Sequence, residues 1–473
     1  MTSARASAQV RFFPATRARA ALVACVVATA GKPTSLHAAD SAVAATADKA
    51  ASSTPAELRE GIDRLVTEAL SQGKLPGCVV VIGRKSGVVY SGAFGSRALL
   101  PKKEPMTEDT IFDLASLTKP LATATALMVL ADQGRVDLDE RVSHYLPTFA
   151  ARGKGGITLR QLLTHVSGLP SETPVGDYEH GRAEAIRRIA ALSLKAAPGA
   201  KFAYSDIGFL ILEEVIRHVT GTDLATFAAS SIFRPLGMND TGFLPPDKDR
   251  ARVAPTEQRK GAWMRGEVHD PRAFRLGGVA GNAGLFSTAQ DLARYARMLL
   301  GSGALEGARI LSARATAQML APHDLPGGIR ALGWDMQSAY STNRGTSFSR
   351  RAVGHGGYTG TSLWIDPEND LFVIFLSNRL HPDGKGSINA IASAIATLAG
   401  STFGHTASEP PIAPMGGKRQ PVDHPLPAGE GRGEGTALPV ESRRGRHASM
   451  TSTSGSQEAL PSPPDPSPER ARH

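Results

Sequence analysis

Apolar and polar positions along the chain fall into three regimes. Between residues 54 and 74, "TPAELREGIDRLVTEALSQGK" carries Leu58, Ile62, Leu65, Val66 and Leu70 at helical spacing, with Thr54 placed to cap the helix. The period then shortens. "CVVVIGRKSGVVYSGAFG" holds two β-branched runs separated by "RKSG" and predicts a hairpin. From residue 115 helical spacing returns. "SLTKPLATATALMVLADQG" predicts a helix ending at "DQG", and "ITLRQLLTHVSGLP" a short helix closed by Gly168 and Pro170. Further helices are expected over 183–194, 206–219, 222–234 and 288–301. Near the end "RRAVGHGG", "YTGTSLWIDP" and "DLFVIFLSN" predict three strands joined by turns, and "GSINAIASAIATLAG" a closing helix.

Strands at both ends with helices between them predict an α+β fold. One antiparallel sheet is built from both chain ends and flanked by helices, with a helical insert domain. The sheet part is expected at about 55–110 and 330–400, and the helical part at about 115–325. The expected domain covers 40–401. Beyond residue 402 the pattern gives way to Pro, Gly, Ser and Arg, a composition with little to bury, so 402–473 is expected to be a disordered tail.

Composition changes this picture in three places. The net charge of +9 over 473 residues invites nucleic acid or membrane, but Arg5, Arg11, Arg17, Arg19 and Lys32 all precede the first acid, Asp40. Without those five the remainder carries +4, with no basic run and no aromatic–basic interleaving, so nucleic acid is not an expected partner. The basic start, the apolar "ALVACVVATAG" and the small residues around Ala38 and Ala39 read as a signal peptide over 1–39, hence a periplasmic or secreted protein. "LVAC" at Leu22–Cys25 resembles a lipoprotein box, but Arg17 and Arg19 leave almost no apolar run before it, so anchoring at Cys25 is not expected. No other segment approaches the roughly 20 apolar residues a membrane span needs. The mature chain would keep one cysteine, Cys78, inside a strand-like run, where it reads as a small buried hydrophobe.

Candidate chemistry begins at Ser116 and Lys119. Side chains three apart on a helix are neighbours, so the amine lies within reach of the hydroxyl. A serine hydroxyl is a poor nucleophile until a base takes its proton, and a lysine can do so only when neutral, which burial favours. Pro120 has no N–H and clashes with the carbonyl of Ser116, so regular helix should not extend far upstream. Ser116 is therefore expected near a helix N-terminus, where N–H groups can stabilise an oxyanion, with an irregular first turn. The spacing recurs at Ser71 and Lys74, but there it falls at a helix end with Gly73 between. His165 and His269 are lone histidines. With no H-E-x-x-H and no cysteine cluster, neither a metal nor another cofactor is expected. "LGGVAGNAGLF" lacks the glycine order of a nucleotide loop.

"KFAYSDIGFLILEEVI" puts Tyr204 two residues before Asp206, and "GHGGYTG" puts His355 before Gly356 and Gly357. In chain order these give S-x-x-K, Y-x-[ND] and H-x-G. Together with "LRQLLTHVSGLP" and "GGVAGNAGLFSTAQDLARYARMLL", the set resembles the serine β-lactamase and penicillin-binding-protein-like hydrolases over about 55–400, in particular their class C-like branch. The resemblance implies an enzyme acting through an acyl-enzyme on an ester, a D-amino-acid amide or a β-lactam. Ser116 would be the nucleophile, Lys119 its proton acceptor and Tyr204 the partner base or relay. His355 would stand where a lysine is common, and the N–H groups of Ser116 and Tyr358 would form the oxyanion hole. Gly356 and Gly357 would let substrate lie close along the strand. Asp206 departs from the more familiar Asn, and an ionised Asp206 could cap the following helix instead of binding substrate. The partner implied is a small-molecule or peptidoglycan-like substrate. The rival reading is a non-catalytic receptor for cell-wall fragments on the same scaffold. Oligomeric state is left open.

Overall fold

The computed structural model describes residues 55–404; the expected signal peptide, the Thr54 cap and nearly all of the expected tail lie outside these residues. Nine strands form the main sheet: β1 (Gly77–Arg84), β2 (Gly87–Ala98), β3 (Glu104–Pro105), β4 (His323–Leu325), β5 (Gly328–Arg330), β6 (Asp335–Ser338), β7 (Val353–Gly357), β8 (Thr361–Asp366) and β9 (Leu371–Ser377). Their order is β4-β5-β6-β7-β8-β9-β1-β2-β3, and every pairing is antiparallel. The sheet is thus built from both ends of the described chain. β1 lies between its hairpin partner β2 and the late strand β9, with Cys78 opposite Phe94 on one side and Ser377 on the other.

Both faces of β1 are covered, which is why "CVVVIG" is apolar without alternation. Cys78, Val80 and Ile82 face one way, against α1 (Ala56–Ser71) and the closing helix, with Leu58, Ile62, Val66, Ile391 and Ile395. Val79 and Val81 face the other way, into a larger core with Leu121, Leu127, Leu292 and Tyr295 from the helical part. Burial pushes the Cys78 thiol pKa up, as expected of a small core residue.

The helices that bear on the site are α2 (Thr125–Asp132), α3 (Leu159–Leu163), α4 (Arg182–Ala191), α5 (Asp206–Thr220), α6 (Ala289–Leu300) and the closing α7 (Asn389–Phe403). α3 starts with a reciprocal cap between Thr158 and Gln161 and stops at Thr164, short of the predicted Gly168. His165 follows at φ +60°, so the left-handed residue that ends this helix is a histidine. The predicted 222–234 helix is α-helical only over Leu224–Ala228 and continues as a π turn over Ala229–Phe233. Among the described residues no helix is long and apolar enough to cross a membrane.

Candidate active site

Ser116 sits on a tight turn rather than in a helix. The short strand Phe112–Asp113 pairs with Leu285–Ser287, and the chain then turns through a single 3₁₀ turn, Ala115–Leu117. A π-helical stretch, Lys119–Ala124, follows before α2 begins. The proline accounts for this irregular start: the wider π turn accommodates a residue that an α-helix would reject. Ala115 is held at φ +46°, a conformation costing about 1–3 kcal/mol in a residue with a Cβ.

Its surroundings hold it there. The buried Asp113 carboxylate accepts the Ala115 N–H at 2.9 Å through one oxygen and the His269 N–H at 2.7 Å through the other. Burial raises its pKa, against both hydrogen bonds. The Thr118 hydroxyl donates to the Ala115 carbonyl (2.6 Å) and accepts from the Leu285 N–H (3.1 Å). Thr359 and Thr361 donate to the carbonyls of Asp113 (2.6 Å) and Leu114 (3.1 Å). The late strands therefore clamp the Ser116 turn directly.

Lys119 is fully buried. Its Nζ donates to Ser116 Oγ at 3.1 Å and to the Asn282 carbonyl at 3.0 Å, and lies 2.6 Å from Asp206 Oδ1. The same amine stands 4.9 Å from the centre of the Tyr204 ring. The sequence expects a lysine neutralised by burial, and Asp206 works against that. Burial does lower its pKa and is the largest single influence, but Asp206 and Tyr204 together outweigh it, and the net direction is upward. These surroundings favour the ammonium form of Lys119. Asp206 does not cap its helix either. Ser205 does, accepting the Gly208 N–H at 3.2 Å, and Asp206 is free to serve as the counter-ion.

Tyr204 packs beside Lys119, and the Lys119 and Ser116 side chains both act to lower its phenol pKa. Burial raises its pKa, with Lys119 opposing and Asp206 reinforcing, so it rests as a neutral phenol. The ring is sandwiched between His165, stacked at 4.5 Å, and Tyr340, stacked at 5.0 Å. His165 Nδ1 also accepts the Ser205 N–H at 3.0 Å, which fixes the loop carrying Tyr204. Burial holds this imidazole far below its ordinary pKa.

On the other side, β7 pairs with β8 throughout and meets β6 at Gly354 and Asp335. His355 lies 6.0 Å from the Tyr204 ring, and its Nδ1 donates to the Gly356 carbonyl at 2.7 Å. The two glycines also have a structural reason to lack side chains. A Cβ on Gly357 would collide with the Leu114 carbonyl and the Thr361 hydroxyl, and one on Gly356 would come 2.7 Å from Asn343 Nδ2. Their smallness lets the strand approach the Ser116 turn and its own neighbours. Tyr358 follows, its ring 5.5 Å from that of His269 and its carbonyl bound by Arg379 Nε at 2.9 Å.

All eight residues singled out from the sequence therefore gather in one region. Sequence reasoning missed Asp113, His165, Asn282 and Tyr340. "THVSGLP" contained His165 in plain view, but a lone histidine carries no signal until its stacking partner is known. The Asn282 contribution is a backbone carbonyl, which no side-chain motif reveals.

The beta-lactamase family model matches residues 62–398. The chain is 32% identical over 357 residues to the N-acetylmuramyl-L-alanine amidase of Bacillus subtilis (strain 168), covering 68% of this chain and 80% of that one. A protein of Escherichia coli (strain K12), provisionally named a D-alanyl-D-alanine carboxypeptidase, is 30% identical over 357 residues, covering 68% and 82%. Among solved structures, EstCE1, a hydrolase with promiscuous acyltransferase activity, superposes with a TM-score of 0.58 at 25% identity over 72% of this chain and 98% of its own. A penicillin-binding-protein homologue from Caulobacter crescentus shares the fold, with a TM-score of 0.61 at 21% identity over 74% and 98%. With its sheet and this match over most of its length, the chain belongs to the serine β-lactamase and penicillin-binding-protein-like superfamily.

Proposed function

We propose that this protein is an exported serine hydrolase that forms an acyl-enzyme at Ser116. The observation that carries the reading is the 3.1 Å contact between Lys119 Nζ and Ser116 Oγ, with the Tyr204 ring centre 4.9 Å from the same amine. Ser116 Oγ attacks the substrate carbonyl as its proton passes to Lys119 in the neutral-amine form. The N–H groups of Ser116 and Tyr358 receive the oxyanion. Tyr204 passes the proton on to the leaving group as the carbonyl–heteroatom bond breaks. Water then adds to the ester, its proton following the same path in reverse, and the carboxylic acid leaves with Ser116 restored.

Because Asp206 holds the resting amine charged, the reactive form grows as pH rises, and activity climbs toward alkaline conditions. The amidase and carboxypeptidase names of the relatives favour an amide or ester of the peptidoglycan type as substrate. Rates on p-nitrophenyl esters, nitrocefin and D-amino-acid amides, measured side by side, rank the substrate classes. A fluorophosphonate or fluorescent penicillin should label the protein, and Ser116→Ala should abolish labelling. Labelling that survives in Ser116→Ala rejects the assignment. Tight binding of cell-wall fragments with neither turnover nor acylation rejects it in favour of a receptor.

A further inference from the structure

The carbonyl that accepts from Lys119 is itself held in place. Residues 279–282 join the Lys119 segment to two helices. Arg182 Nη2, on α4, donates to the Val279 carbonyl at 2.6 Å. The Gly281 N–H donates to Glu213 Oε2, on α5, at 2.9 Å. Thr123 Oγ1, in the π-helical stretch, donates to the Gly281 carbonyl at 2.7 Å. The next carbonyl, that of Asn282, accepts from Lys119 Nζ at 3.0 Å. Position 281 has room for glycine alone: a Cβ there would meet the Phe209 carbonyl and come 2.9 Å from the Glu213 Cβ. The link therefore lies flat on α5, one residue from the amine.

Glu213 beneath it is fully buried. Its Oε1 lies 2.8 Å from Arg182 Nη1, Arg217 stands 3.8 Å away, and Glu214 is its neighbour on α5. Taking a carboxylate out of water is costly, and an ion pair offsets only part of that cost. Glu214 also pairs with Arg182, at 2.9 Å, so the guanidinium does not require a second carboxylate. What Glu213 adds is an acceptor for the Gly281 N–H. Asp206 and Glu213 are seven residues apart on α5, two turns along the same face and about 10 Å along the axis. Asp206 reaches Lys119 directly, and Glu213 reaches it through Gly281 and Asn282.

The proton transfer needs such a support. A neutral amine has two N–H groups and one lone pair. With Asp206 and the Asn282 carbonyl each taking one N–H, the lone pair is left directed at Ser116 Oγ, the geometry for receiving its proton. Once the Asn282 carbonyl shifts, the amine can turn away.

We infer that Glu213 is a positioning residue for this reaction: through the Gly281 N–H it fixes the Asn282 carbonyl, which aims the Lys119 lone pair at Ser116. The inference rests on the Ser116 hydrolase reading. Asp206 and Tyr204 also face the amine, and His165 and Asp270 sense its charge; all four stay unchanged in the test.

Two variants of the full chain break the link from opposite sides. Glu213→Leu removes the acceptor beneath Gly281, and Thr123→Val removes the donor to its carbonyl while keeping the size of the side chain. kcat/KM for a p-nitrophenyl ester is measured from neutral to strongly alkaline buffer. Titration with a fluorophosphonate counts the reactive sites, so unfolded protein drops out of the rates. Losing the Asn282 carbonyl takes a charge-assisted hydrogen bond from the ammonium, and in Glu213→Leu the ratio of neutral to charged Lys119 should rise about tenfold at a given pH. The neutral form should react about tenfold more slowly, because its lone pair is no longer aimed. The curve should therefore rise at lower pH and level off below the wild type in alkaline buffer, where the wild type still climbs. Thr123→Val should change the curve in the same direction by a smaller factor. A curve of wild-type shape in Glu213→Leu, scaled by one factor at every pH, assigns Glu213 to stability alone and overturns the inference. Where that variant gives no folded protein, a curve of wild-type shape in Thr123→Val does the same. A wild type that the fluorophosphonate does not label at Ser116 rejects the hydrolase reading and removes the basis for this one.

Discussion

Replacing Asp206 by Asn changes the charge on one atom pair and leaves the shape of the site intact. At 2.6 Å and an effective dielectric of about 20, the Lys119–Asp206 attraction amounts to about 6 kcal/mol. An Asn oxygen still accepts from the amine, and the Asp206 side chain is 21% exposed, so roughly half of that is discounted and about 3 kcal/mol is lost from the ammonium form. At 1.36 kcal/mol per tenfold, the ratio of neutral to charged Lys119 at a given pH rises about 100-fold. A less basic amine is also a weaker proton acceptor, which returns about half of that gain on a logarithmic scale. Asp206→Asn should therefore raise kcat/KM for a simple ester about tenfold at neutral pH. The assay is the pH dependence of kcat/KM from neutral to strongly alkaline buffer. Wild-type activity should still be climbing at the alkaline end, and the rise should move to lower pH in the variant. A variant with an unmoved profile, or one slower at every pH, would refute the reasoning. Lys119 would then act as an ammonium, and the proton of Ser116 would go elsewhere.

Gly357→Ala places a methyl against the Leu114 carbonyl and should cut the acylation rate at least tenfold while circular dichroism stays native, because the strand must back away from the nucleophile turn. His165→Ala empties the space under the Tyr204 ring and strands the Ser205 N–H. Urea unfolding should show a loss of about 2–4 kcal/mol, with esterase activity falling in parallel. Glu213 is buried on α5, and burial pushes its pKa up to about 7 despite the Arg182 guanidinium 2.8 Å away. The folded state therefore holds its proton where the unfolded chain has released it, and stability falls as pH rises from the ordinary glutamate range to about 7. Melting temperatures should decline less over that window in Glu213→Gln than in the wild type.

The sequence made the parts legible where chemistry and periodicity coincide. Ser116, Lys119 and Pro120 announced an irregular helix start, and the structure has a 3₁₀ turn and a π turn there. The "CVVVIG" hairpin and the three late strands were readable because β-branched runs between turn residues have few other uses. The charge state of Lys119 was not readable, since it depends on a carboxylate 87 positions away in the chain arriving within 2.6 Å. Nor was the work of Gly356 and Gly357, where the obstacle to a side chain is the protein itself. Glu213 looked like any surface glutamate until the fold buried it.

The pairing of β1 with β9 has a consequence for biosynthesis. The segment bearing the Ser116 alcohol is made well before the hydroxyls of Thr359 and Thr361 that brace it, and before the neighbouring strand edge. A ribosome-bound fragment ending before residue 350 has every one of Ser116, Lys119 and Tyr204 and still lacks the clamp that orients them. On the Ser116 reading, reactivity toward a serine-directed probe should be deferred until those strands have docked, and a fragment that lacks them should not be labelled.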